Sequence, residues 1–379
     1  IVAVMGAFVA FGVYVFIGVK GNLGLFDIGA LVMYCGAFMQ IVNGVMLIAN
    51  TLGKLAEILP LARIYFEIIE CTDSKQYGTR TLDGDRFEIE FKNVSFKYPG
   101  ANQYALENVS IKIENGSHLA VVGRNGSGKT TFIKLMCRLY DVTDGEILIN
   151  GENIQAYTKE SIINLYSVVF QDFKIFSVPL RDTVCAGSDF DRDKLYTCLE
   201  NANIKERVEC LPHQENTYLY KDLNKGGVEI SGGEAQKLAL ARALYKDAPV
   251  VVLDEPTAGL DPEERLNFKN VIRRIKGDRC VVLSTHIITD IESLCDRILV
   301  LCDGRITAFD SCGALADVAR GKVYAVEDTA DLATPFHSMG PVTVDGKACE
   351  KIISKAPLNA PALEPTVEDG YICFIEKLS

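Results

Sequence analysis

Two charge-free runs near the N-terminus constrain this chain most. Residues 1–19, IVAVMGAFVAFGVYVFIGV, carry no charged residue, and neither do residues 28–53, between Asp27 and Lys54. At about 1.5 Å of rise per residue, each run is long enough to cross a hydrocarbon core as a helix. Between them KGNLGLFD is a short polar hairpin containing glycine. A pair of buried helices in a soluble protein is the competing reading. Helices that are apolar around their whole circumference, with glycine rather than charge on the remaining face, favour the membrane. Gly6, Gly12, Gly18, Gly36 and Gly44 would let such helices pack closely. Residues 54–70, KLAEILPLARIYFEIIE, turn amphipathic, so the second span is expected to continue as a helix into water.

The opening run lacks a charged n-region and a cleavage site, so it does not read as a signal peptide. With Ile1 rather than Met at the start, the expectation is of a chain whose beginning lies upstream. A length of 379 residues suggests two or three domains and ample core. The net charge of −11 disfavours a nucleic-acid partner, which would call for a basic surface. The 12 cysteines are scattered without a C-x-x-C pair, so reduced thiols fit better than a disulfide framework or a zinc ribbon.

A polar stretch, CTDSKQYGTRTLDGD (71–85), reads as a linker into a second unit. Strand-like alternation follows in FEIEFKNVSFKY and LENVSIKIENGSHLAVVG, and strands and helices then mix to about residue 310. Residues 311–379 read as a small α+β appendage with Pro-containing loops and no cluster of His, Cys or acids.

Within the α/β unit, VVGRNGSGKT (121–130) is an apolar strand, a glycine-rich turn, a lysine and a threonine, followed by a helix-forming run. Glycines let successive backbone N–H groups turn inward, and such donors at a helix start make an anion site. Gly123-x4-Gly128-Lys129-Thr130 fits the P-loop, in which Lys129 reaches the β- and γ-phosphates and the Thr130 hydroxyl meets Mg²⁺. The alternative, a strand–helix turn without a ligand, does not account for the full spacing. A nucleoside triphosphate is therefore expected.

The second acidic element is PVVVLDE (249–255), which puts Asp254 and Glu255 at the carboxyl end of a buried strand. Asp254 can hold Mg²⁺ through water, and Glu255 can polarise an attacking water. Between the two elements lies VEISGGEAQKLALARALY (228–245), where Ser231, Gly232 and Gly233 precede a long helical run. This is a second helix N-terminus able to offer N–H donors and a hydroxyl to an anion. Ser231 as a simple N-cap explains the serine but not the paired glycines.

Two phosphate-directed elements in one domain make sense if the second serves a neighbouring molecule's nucleotide. Here the chain resembles the ATP-binding cassette (ABC) transporter family. ISGGE resembles the family signature LSGGQ, with Ile230 and Glu234 at its first and last positions. VSFKYP resembles the aromatic loop, which implies that Tyr98 stacks on adenine, an interaction worth about 1–3 kcal/mol per base. VVFQD resembles the Q-loop, with Gln171 as a ligand of Mg²⁺ and water and as a link to membrane helices. AGLD (258–261) resembles the D-loop, ending in Asp261, and LSTH puts His286 in the switch position facing the γ-phosphate. Taken singly, Tyr98 reads as a half-buried strand aromatic and His286 as a structural histidine; the order of the motifs favours function for both.

The resemblance implies an α/β P-loop ABC ATPase domain with a helical subdomain at 86–310, preceded by transmembrane helices within 1–70. It resembles the half-transporter layout of exporters, in which these would be the last two of six helices. Glu255, His286, Gln171 and Lys129 would be catalytic. ATP would be held by Tyr98, Gly123, Asn125, Gly126, Ser127, Gly128, Lys129, Thr130, Thr131 and Gln171. Ser231, Gly233 and Asp261 would complete the nucleotide contacts, and Mg²⁺ would lie against Thr130, Gln171 and Asp254. A second half-transporter, identical or related, would be the partner, the membrane its location and the cytoplasm the side of the ATPase. From GLDPEERLNFKN onward the chain instead resembles the free ATPase subunits of drug- and antibiotic-efflux systems. An ATPase subunit of a multi-chain efflux system, a soluble ABC ATPase without transport, and a non-catalytic regulator are the alternative readings.

Overall fold

The computed structural model describes the chain except Ile1 and residues 25–26, 71–74, 85, 258–259, 276–278, 329–331, 333–334, 345 and 377–379. Two compact units result, Ile1–Lys75 and Gln76–Ser379. In the first, α1 (Val2–Asn22) and α2 (Ile28–Ile69) lie against each other. α2 runs for 42 residues and continues through Pro60 into the amphipathic stretch. Among the described residues, Val32–Ile69 is the segment long and apolar enough to cross a membrane, and its best stretch has a mean hydropathy of 1.7. Its apolar side chains, Val32, Ile41, Leu47 and Leu52 among them, are exposed within this unit. Residues 76–84 of the linker stretch belong to the second unit. Gly78 N–H donates to the Gln155 carbonyl at 2.9 Å, and Arg80 N–H to the Ala156 carbonyl at 3.1 Å. A side chain at residue 78 would collide with the Ala156 backbone, which is why a glycine stands there.

In the second unit, β1 (Ile89–Phe96) and β2 (Leu106–Ile113) precede β3 (His118–Val122), which leads through the glycine turn into α3 (Lys129–Met136). β4 (Asp144–Ile149), β5 (Glu152–Asn153), α4 (Lys159–Leu165) and β6 (Tyr166–Val169) follow. A helical insert comprises α5 (Leu180–Cys185), α6 (Arg192–Asn201), α7 (Lys205–Glu209) and α8 (Gly232–Lys246). Then come β7 (Val250–Asp254), α9 (Pro262–Ile275), β8 (Cys280–Thr285), β9 (Arg297–Cys302) and β10 (Arg305–Ser311). The C-terminal part holds α10 (Cys312–Asp317), β11 (Val323–Val326), β12 (Phe336–Val344), β13 (Lys347–Ser354) and α11 (Val367–Ile375).

The central sheet has the order β10-β9-β3-β8-β7-β6, parallel except for the β10 edge. β3, β7 and β8 are buried along their whole length, because both faces of the sheet are covered. The strand period sends alternate residues to the two sides. Leu119, Val121, Val250, Val252 and Val282 pack with α3 and the antiparallel sheet β2-β1-β4-β5. Ala120, Val122, Val251, Leu253 and Leu283 pack with the helical insert and α9. Leu315 of α10 and Val367 and Tyr371 of α11 belong to that second cluster. The C-terminal helices thus share the core of the α/β unit, while β11-β13-β12 forms a small antiparallel sheet. An α/β core with a helical insert, preceded by helices, agrees with the fold class read from the sequence.

Candidate nucleotide-binding site

β3 ends at Val122, and the chain then turns tightly under the pressure of its neighbours. A Cβ on Gly123 would run into the Leu301 carbonyl and the Ser127 side chain. Gly128 has φ of 103° and lies where a Cβ would meet Leu106 Cδ2 at 2.7 Å and the Ala105 carbonyl at 2.8 Å. Lys129 opens α3 directly afterwards and is buried, with Nζ donating to the carbonyls of Gly123 at 2.8 Å and Arg124 at 3.3 Å. The same Nζ stands 3.2 Å from Glu255 Oε1.

Asp254 ends β7 and pairs in register with Ser284 of β8, whose hydroxyl donates to its Oδ1 at 2.5 Å. Burial pushes the Asp254 carboxyl above the usual range, against the hydrogen bonds of Ser284 and Thr130 that favour its charge. Asp254 Oδ2 is buried without a hydrogen-bond partner. Glu255 turns the chain with φ of 48°, a left-handed conformation costly for a residue with a side chain. Its N–H donates to the Ser284 carbonyl at 3.0 Å, which helps hold that turn. Its Oε2 accepts from His286 Nδ1 at 2.6 Å. Gln236 of α8 donates to the carbonyl of Pro256, tying that helix to the loop just after Glu255.

A cleft of about 650 Å³ opens over these loops. Tyr98, Asn125, Gly126, Gly128, Lys129, Thr130, Thr131, Gln171 and Glu255 line it, so nine of the residues singled out from sequence converge. Tyr98 packs edge-on against Phe96 and Tyr140, with its hydroxyl 3.1 Å from Thr131 Oγ1. Gly123 and Ser127 form the buried floor of the turn. Ser231, Gly233 and Asp261 are not among the cleft's walls. Ser231 caps α8 in a capping box with Glu234, and Asp261 caps α9 by accepting from Glu264 N–H at 2.8 Å. The Glu264 carboxylate, the far end of a flexible side chain, stands where a Cβ on Gly233 would be. Ala258 and Gly259 of the D-loop stretch lie outside the described residues.

Four contributors escaped the sequence reading. Tyr104 is an exposed aromatic in the same wall as Tyr98. Asp303 and Gly304, with φ of 48° and 77°, turn the β9–β10 hairpin under the glycine loop, where Gly304 N–H donates to the Ser127 carbonyl at 3.1 Å. Asp-Gly between two apolar runs is a strong hairpin signal and was legible. Ser284, which touches both acids, carried no such signal.

Residues 106–258 match the family model described as ABC transporter. Over a longer span the chain is similar to the ATP-dependent lipid A-core flippase of Burkholderia orbicola, 34% identical over 297 residues, which are 76% of this chain and 49% of that protein. The protein of the same description from Haemophilus influenzae is 36% identical over 243 residues, 64% of this chain and 40% of that one. The solved structure of a bacterial Atm1-family ABC exporter with ATP bound matches with a TM-score of 0.60 and 26% identity, covering 83% of this chain and 54% of that one. The chain spans about half the length of these relatives.

Proposed function

We propose that this chain is one half of an ATP-driven exporter, integral to a cell membrane with its ATPase domain in the cytoplasm. Two such halves, identical or related, close on two ATP molecules and reopen after hydrolysis. The observation that carries this reading is Glu255, which contacts Lys129 through one carboxylate oxygen and His286 through the other. That arrangement suits a base that orients water beside a γ-phosphate held by Lys129, with His286 on the same phosphate. Tyr98 offers its ring to adenine, and the turn from Gly123 to Thr131 offers N–H groups and hydroxyls to the phosphates.

Among the described residues no group of three or more His, Cys, Asp or Glu forms a metal cage. Mg²⁺ usually takes one or two protein oxygens and completes its shell with water and phosphate, so the buried, unpartnered Asp254 Oδ2 beside Thr130 fits it. Thr130, Gln171 and Asp254 would hold the ion, which supplies charge neutralisation at the phosphates when bound. Ser231 and Gly233, away from the cleft of their own domain, are read as serving the partner's nucleotide. Beside the Gln171 segment, Phe176 and Leu223 are 71% and 77% exposed, with Leu223 N–H bound to Ser177 Oγ.

The test is ATP hydrolysis by the full chain in lipid vesicles. Hydrolysis is expected, with Lys129→Ala abolishing both binding and turnover. Ser231→Arg is expected to abolish turnover and leave ATP binding. A wild-type chain that hydrolyses no ATP overturns the reading, and loss of binding in Ser231→Arg equal to that in Lys129→Ala places the signature in cis. Since the named relatives are lipid flippases, transbilayer movement of a labelled lipid is the first cargo assay.

A further inference from the structure

Glu234 puts a negative charge in the first turn of α8, the turn that also carries Ser231 and Gly233. A carboxylate there suits the helix dipole, and Glu234 uses it: Oε2 accepts from Ser231 N–H at 2.7 Å, while Ser231 Oγ accepts from Glu234 N–H at 3.2 Å. The same turn, on the reading above, must receive the γ-phosphate of the partner's ATP. A free carboxylate beside that phosphate would repel it. α7 supplies the remedy, since Arg207 Nε stands 2.6 Å from Glu234 Oε1. The two oxygens of Glu234 thus divide between Arg207 and the Ser231 backbone. Burial works against ionisation of Glu234, yet the Ser231 and Arg207 contacts hold its carboxyl below the usual range. A second carboxylate, Glu264, lies over Gly233, which makes a compensating cation at this turn more valuable.

We propose that Arg207 is a positioning residue for hydrolysis: it neutralises Glu234 and fixes the capping box, so that Ser231 and Gly233 can accept a phosphate. This rests on the assignment of Ser231 and Gly233 to the partner's nucleotide. It predicts a dependence on charge rather than on packing of α7, because a glutamine at position 234 would cap the helix without needing a cation.

The experiment measures ATPase rate against ATP concentration for the full chain in lipid vesicles. Arg207→Ala is expected to raise KM for ATP or lower kcat by roughly tenfold, the usual size for coupled charged neighbours. Arg207→Ala combined with Glu234→Gln is expected to return to within about twofold of wild type, since charged neighbours in contact are non-additive. Arg207→Lys, which keeps the charge, should retain most of the activity. If Arg207→Ala does not fold, Arg207→Gln keeps much of the side-chain length and makes the same prediction. A double variant as slow as the single one overturns the proposal, as does wild-type kinetics in Arg207→Ala or Arg207→Gln. Either result, in a chain that hydrolyses ATP and loses hydrolysis with Lys129→Ala and Ser231→Arg, leaves the exporter reading standing. Loss of those two controls is the failure of that reading itself.

Discussion

His286 Nδ1 stands 2.6 Å from Glu255 Oε2, so the residue after β8 and the residue after β7 meet at one carboxylate. The other oxygen of that carboxylate faces Lys129. A glutamate with both oxygens engaged, buried to 6% exposure, has little rotational freedom left. Its backbone is held as firmly, by a hydrogen bond from its N–H to Ser284 at a positive φ. Orientation of this kind is what a general base needs before substrate arrives.

Glu255→Gln keeps the shape and removes the basicity. Turnover is expected to fall by about 10²–10⁴-fold while ATP binding stays. Hydrolysis assays paired with a nucleotide-binding titration check this, and near-normal turnover in the pure variant would remove Glu255 from the role.

Gly128→Ala tests the turn that delivers Lys129. The left-handed backbone costs about 1–2 kcal/mol with a side chain, and the contacts with Leu106 and the Ala105 carbonyl add overpacking. Both a lower thermal midpoint and at least about tenfold weaker ATP binding are expected, ten being the factor for 1.4 kcal/mol. Unchanged affinity would mean that the loop tolerates a Cβ there.

Glu215 gives the helical insert a pH dependence. Burial pushes its carboxyl up, but the Tyr196 hydroxyl, a backbone N–H and Arg192 outweigh that and hold it below the ordinary 4.5. The folded chain therefore keeps this carboxylate ionised to lower pH than the unfolded chain does. Its stabilisation is complete above the ordinary value and is lost as pH falls from there through the depressed one. Thermal midpoints of wild type and Glu215→Gln should converge as pH falls below the ordinary 4.5. A constant gap across that range would contradict the assignment.

Removal of residues 311–379 should lower stability more than loss of an independent appendage would. Leu315, Val367 and Tyr371 cover the core face that also holds Ile298 and Val300. Each large apolar side chain returned to water costs about 1.5–3 kcal/mol. α11 also reaches the glycine turn through an exposed Arg124–Glu376 pair at 2.9 Å, which by its exposure adds little. Scanning calorimetry of the truncated chain is the measurement. A midpoint equal to that of the full chain would show that these helices are dispensable to the core.

The glycine turn, the two acids at a strand end and the capped helix at Ser231 were legible because each is local. A few consecutive residues impose a positive φ, a strand end or a helix start, and no distant partner is needed. The second charge-free run was legible for the same reason, since length and polarity alone decide whether a helix can span a bilayer, and Val32–Ile69 is such a helix among the described residues. Other features depended on which strands became neighbours. β8 lies between β3 and β7, and that placement alone brings Ser284 against Asp254 and His286 against Glu255. Neighbours in a parallel sheet are joined by crossover connections, so adjacency in space does not follow adjacency in sequence. The same holds for Arg207 and Glu234, drawn together by packing of the helical insert, and for the C-terminal helices, whose apolar residues joined the ATPase core because that face was left to cover.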